Sequence, residues 1–343
     1  MILFKMIKKI ILLTGVFLWV SCESSHEPGL RENLLVFLEI PSYFPSLNGS
    51  VNENPPTKYG VELGQKLFSD KRLSADNTIS CSSCHIREHA FADQNAKAVG
   101  IKGREGLRNV PPVQNLAFMK FYNWDGNMLQ LEKQPLVPVI THEEMDSSVQ
   151  DVINKIKDDA KYKELFVKTF GSDDVTADRI YRSIAQYEYT LISVNSKYDK
   201  VMRNEGMVFT QEEARGYEIF EKKCMACHNT ALFTDQSFRN VGFPVNSDRD
   251  EAGRARVTGR AEDYMSFRVP SLRNVEYTAP YGSFGQFATL KEVLDYFDNG
   301  VLDAANLDPI LKSNGNRIPL TEQEKADLIS FLKTLSDTNF IKK

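Results

Sequence analysis

Apolar residues recur at helical intervals through most of the chain. Leu63, Leu67 and Phe68 share one face and predict a helix over 57–68. Val152 and Ile156, then Ile180, Ile184, Tyr187 and Leu191, extend the pattern through 148–170 and 176–201. Three Thr-x-x-Glu signals, Thr210/Glu213, Thr289/Glu292 and Thr321/Glu324, mark the starts of further helices, since each pair can satisfy two open backbone donors. Between these elements, 41–56 is rich in turn residues, and Gly100, Gly103 and Gly106 mark a loop. Period-two alternation is sparse. The pattern predicts a mostly α protein, with a first domain over 34–200 and a second over 201–343.

The N-terminus follows a different logic. Lys5, Lys8 and Lys9 precede an apolar run over 10–20 that is too short to span a bilayer, and Ser21-Cys22 follows directly. This reads as an export signal over 1–21. A small residue before Cys22 matches a lipoprotein cleavage site, so Cys22 would carry lipid, with simple signal cleavage as the alternative. Residues 22–33 are polar, with Ser24, Ser25, Pro28 and Gly29, and read as a tether between membrane and body. The predicted address is the periplasm.

The 343 residues suffice for two cores, and a hydrophobic content of 42% is that of a globular protein. A formal charge of −4 gives no basic footprint, which excludes nucleic acid as a partner. The five cysteines divide into Cys22 and two pairs.

Those pairs carry the chemistry. Cys81-Ser-Ser-Cys84-His85 and Cys224-Met-Ala-Cys227-His228 are two copies of Cys-x-x-Cys-His, the attachment signature of c-type haem. Cysteines three apart on a helical turn face the same way and can bond both vinyl groups of one porphyrin. The adjacent histidine then becomes the proximal iron ligand. Zinc would need four closed ligands, for which neither copy has a complement. His89 lies one turn beyond His85 on the same side and cannot reach the opposite face of that haem. The expected architecture is two cytochrome-c-like domains, each around one covalent haem.

The order of motifs is more specific than either copy. CxxCH is followed by Arg108-Asn109-Val110-Pro111, Trp124-Asp125-Gly126, Glu144-Met145, the second CxxCH, and a run from Arg268-Val-Pro-Ser-Leu-Arg-Asn to Thr278-Ala-Pro280-Tyr281. Over about 55–340 this resembles the bacterial dihaem cytochrome c peroxidases, with the MauG-type enzymes as a branch. The resemblance implies that the haem at His85 is the peroxide site and the haem at His228 passes electrons. It implies Glu144 as the acid–base group, Gln134 and Pro138 as its pocket companions, and Trp124 as a relay between haems. It also implies an interdomain calcium held by Asn109, Thr278 and Pro280, hard oxygen donors of the kind calcium takes. The implied partners are H2O2 and a small electron-donor protein, a monohaem cytochrome c or a copper protein. A homodimer is implied as well.

Two departures from the family pattern stand out. Ile101 occupies the place where many members carry a histidine that seals the peroxide haem, so that haem is expected to be open in the ferric protein. Where the family carries methionine or tyrosine on the second haem this chain has Phe297, leaving Tyr296, Met265 or no protein ligand as the alternatives. The leading function is reduction of H2O2 to water at the N-terminal haem. The alternatives are a MauG-like oxidation of partner side chains and a dihaem electron carrier without catalysis.

Overall fold

The computed structural model describes residues 33–244 and 251–342. The export signal, Cys22 and nearly all of the tether therefore lie outside the described residues. Asn33, the tether's last residue, is docked on the body: its Nδ2 donates to the Thr169 carbonyl at 3.2 Å, and its Oδ1 accepts from the Tyr59 amide at 3.0 Å.

The principal helices are α1 (Lys58–Phe68), α2 (Val149–Ile156), α3 (Ala160–Phe170), α4 (Ala177–Tyr189), α5 (Gln211–Lys223), α6 (Leu290–Asp295), α7 (Glu322–Lys333) and α8 (Thr338–Lys342). A two-stranded antiparallel ribbon pairs Phe238 with Arg268 and Arg239 with Phe267. Helix α1 begins at Thr57, whose side chain accepts from the Gly60 amide, as the pattern predicts. The capping boxes at Thr210 and Thr321 are complete. At Thr289 the hydroxyl accepts from Glu292, but the Glu292 carboxylate returns to the Ala288 amide instead.

The two long helical stretches are each broken. Between α2 and α3 the Asp159 carboxylate caps the Lys161 and Tyr162 amides, so the chain restarts rather than continues. After α4, residues 190–196 leave the helix, and Ser196 caps a new one at Lys197–Met202. The turn-rich 41–56 segment contains one short helix, Gly49–Glu53.

Each half repeats one construction: the helix leading to a CxxCH crosses a later helix at glycine. A Cβ on Gly64 would collide with the Ser183 carbonyl of α4, and one on Gly216 with the Asp327 carbonyl of α7. The first core gathers Leu63, Leu67, Ile156, Phe166 and Ile184; the second gathers Phe220, Leu328, Phe331 and Leu335. The last helix returns to the first half, where Phe340 packs on Phe91 with ring centroids 5.4 Å apart.

A buried polar network ties the halves together. Arg273, 0% exposed, forks onto Asp199 at 2.8 and 2.9 Å and donates to the Ala231 carbonyl at 2.6 Å. Tyr43 adds a bond to Asp199 at 2.8 Å. Asn274 donates to Ser193 at 2.9 Å and accepts from the Asp337 amide at 2.7 Å. Among the described residues no helix is long and apolar enough to cross a membrane.

Candidate functional site

Ser80 caps a single helical turn, Cys81–Cys84, in which the His85 amide donates to the Cys81 carbonyl at 2.8 Å. That turn sets both thiols and the imidazole on the wall of one cavity of about 480 Å³. The His85 Nδ1 lies 2.9 Å from the Phe91 carbonyl. Donation there fixes the tautomer and leaves the Nε2 lone pair for a metal. Burial holds the imidazole below its ordinary pKa, in its neutral ligating form. The left-handed backbone at Ala90 and Phe91 turns the carbonyl towards the ring.

The second site repeats this geometry. Cys224 closes α5, and the His228 amide donates to its carbonyl at 3.0 Å. The His228 Nδ1 lies 3.0 Å from the Phe233 carbonyl, and burial again lowers the imidazole pKa. Cys224, Cys227 and His228 line a cavity of about 250 Å³ with a largely apolar wall.

The first cavity also brings together Trp124, Gln134, Pro138 and Glu144. Glu144 is held by the glycine loop: the Ile101 amide donates to its carbonyl at 2.8 Å, and a Cβ on Gly100 would collide with the Glu143 and Glu144 carbonyls. Burial, then the neighbouring Glu143 charge, raises the Glu144 pKa. Gln134 donates to the Asn123 Oδ1 at 3.2 Å, which turns its carboxamide into a fixed wall element. Trp124, 9% exposed, is shared by both cavities, and its indole donates to the Asn109 carbonyl at 2.9 Å.

Ile101 is buried but forms no part of the first wall, where His85 is the only histidine among the described residues. His89 lies outside that wall and meets Gln94 at 2.6 Å. Asn109, Thr278 and Pro280 share the wall of the second cavity. The Asn109 nitrogen donates to the Asn95 and Ala96 carbonyls, each at 3.2 Å, which turns Oδ1 away from them. Phe297 lines the second cavity, whereas Tyr296 and Met265 do not.

Glu188 is the residue that sequence reading missed. Its carboxyl is buried in the first cavity wall, and Oε2 has no hydrogen-bond partner. Burial, then the Glu132 charge, raises its pKa to about 8. The available signal was its place four residues after Ile184, on the apolar stripe of α4.

Both cavities fit a c-type haem. Cys81 and Cys84, and likewise Cys224 and Cys227, could take the thioether bonds, with a neutral imidazole poised beside each pair. Arg268 supplies an independent indication. It is buried in the second wall with no carboxylate partner among the described residues, and burial lowers its pKa to about 10. A haem propionate is the anion such a cation lacks. No group of three or more His, Cys, Asp or Glu among the described residues is arranged to hold a metal ion, which leaves no zinc set.

Two haem-binding halves joined at one tryptophan define a dihaem redox protein. The family model for di-haem cytochrome c peroxidase matches residues 58–207, and that for cytochrome c matches 213–336. The cytochrome c551 peroxidase of Nitrosomonas europaea is 34% identical over 80% of this chain and 79% of its own length. The methylamine utilization protein MauG of Methylorubrum extorquens is 33% identical over 82% and 79%. A crystal structure of a MauG-like protein associated with microbial copper homeostasis superposes with a TM-score of 0.82 at 30% identity, covering 90% of this chain and 97% of that one. The chain belongs to the di-haem cytochrome c peroxidase family. It is an oxidoreductase built of two cytochrome-c-related domains, and two c-type haems are the cofactors that membership carries.

Proposed function

We propose that this protein reduces H2O2 to water at the haem attached through Cys81 and Cys84, drawing electrons through the haem attached at Cys224 and Cys227. The observation that carries the reading is the meeting of His85, Glu144 and Gln134 in one cavity that shares Trp124 with the second. A haem ligated by His85 supplies the redox chemistry of O–O cleavage. Glu144 takes a proton from peroxide at a carboxylate oxygen and returns it to the departing oxygen, which leaves as water. Its pKa, raised by burial and the Glu143 charge, suits a group that must both accept and release that proton. Gln134, anchored on Asn123, orients the peroxide by hydrogen bonding. Trp124 provides the aromatic bridge for electrons arriving from a docked monohaem cytochrome c or copper protein. Two protons and two electrons per H2O2 yield two waters.

Several further assignments belong to this reading. The peroxide domain spans 34–200 and the electron-transfer domain 201–343. Asn109, Thr278 and Pro280 offer oxygens for an interdomain calcium, supported by their common wall and by the orientation of the Asn109 carboxamide. Export to the periplasm, a lipid on Cys22 and a homodimer complete it.

The test is an EPR and absorbance spectrum of the ferric holoprotein before and after a stoichiometric addition of H2O2. A high-spin signal consumed on mixing is the expected result, because among the described residues no second histidine lines the first cavity. Two low-spin haems indifferent to peroxide would overturn the reading and favour an electron carrier. A MauG-like oxidation of partner side chains is the second reading, favoured by the lack of methionine in the second wall among the described residues. Steady turnover with a reduced small cytochrome decides against it.

A further inference from the structure

We propose that the second haem site is itself a ligand-binding site, open to a small neutral diatomic such as carbon monoxide. The inference rests on the two-haem assignment above and concerns what the protein offers the second iron besides His228. The residues expected to close that site are engaged elsewhere. Helix α6 runs into a wide π-helical turn, Tyr296–Gly300, which sends consecutive side chains to different neighbours. Tyr296 packs against Phe243 and Phe287, and its hydroxyl donates to the Val241 carbonyl at 2.8 Å. Met265 packs with Trp124 and Phe267. Phe297 takes the place in the wall and has no atom with which to ligate.

The remaining polar candidates in the wall are also committed. Lys223 donates to the Pro319 carbonyl at 2.8 Å and to Glu324 at 2.6 Å. The Tyr281 hydroxyl donates to the Val275 carbonyl at 2.9 Å, and Asp308 is paired with Arg239 at 2.7 Å. Residues 245–250 contain no histidine, methionine, lysine, tyrosine or cysteine. Phe297 packs in one apolar cluster with Val241, Phe243, Phe287 and Ile318, all of which line the cavity. An apolar surface of this kind admits a neutral diatomic at little cost.

The test is a CO titration of the dithionite-reduced holoprotein, read in the Soret band, with the two haems counted by pyridine haemochrome. The expected result is loss of one bound CO per chain when Phe297→Met is compared with the native protein. A His–Met charge-transfer band in the ferric variant would show that it folds and ligates. Phe297→Leu, which keeps the wall apolar, should retain the native count. Two CO falling to one supports an open second site beside an open first. One CO falling to none supports the open second site while showing the first to be closed, so the two readings fail separately. One CO unchanged in the ligated Phe297→Met variant, or no CO in the native protein, overturns the proposal.

Discussion

Replacing Glu188 with Gln should change how stability depends on pH. Glu188 is buried in the first cavity wall with one oxygen unpartnered, and its pKa is raised from 4.5 to about 8. Between those values the native state holds a proton that the unfolded chain has released. Native stability therefore falls as pH rises through that window and levels off above it. The full window is worth on the order of 5 kcal/mol. Gln keeps the shape and cannot titrate, so the variant loses this slope. Its added N–H groups, where they find no acceptor in the wall, bring a constant cost of about 1–3 kcal/mol. The variant should thus be the less stable protein near pH 5 and the more stable near pH 8.5. The assay is urea denaturation of both holoproteins across that range. Other titrating groups, the haem propionates included, cancel in the difference. Parallel profiles would refute a neutral native Glu188.

Four further outcomes follow from the geometry. Glu144→Gln should lower peroxidase turnover by about 10²–10⁴-fold with haem spectra unchanged; the native rate should rise with pH through a value above that of an ordinary glutamate, a limb absent from the variant. Gly100→Ala places a Cβ against the Glu143 and Glu144 carbonyls, so steady-state assays should show reduced turnover at native haem content. Trp124→Phe removes the indole shared by the cavities and its bond to Asn109; stopped-flow measurement should find slower electron passage between the haems, with a stability loss of about 1 kcal/mol. Arg273→Ala strands the buried Asp199 charge and should cost about 3–5 kcal/mol in urea denaturation.

What the sequence revealed and what it concealed divide along a physical line. A CxxCH pair, a capping box and an apolar stripe are local: each is complete within a few residues, so spacing alone exposes it. The break at 190–196 is not local in this sense. It exists because Ser193 serves Asn274 and Asn115, partners distant along the chain. The motif around Arg108, Trp124-Asp125 and Arg268–Asn274 shows the same limit from the other side. Its order identified the family, yet neighbouring residues in it do unrelated work. Arg108 joins Asp125 and Glu251, each at 2.8 Å, and Arg273 and Asn274 strut the domain interface, while Trp124 and Arg268 line cavities. Spacing could not separate Tyr296 from Phe297 either, because a π-helical turn decides which of them faces the second haem site. Glu188 was hidden for the opposite reason: a charged letter on an apolar stripe reads as an interruption of the pattern. Only its unpartnered oxygen in the cavity wall identifies it as part of the site. The residues proposed to hold the haems are thus legible from spacing, whereas Glu188 stands out only through the oxygen that the fold leaves without a partner.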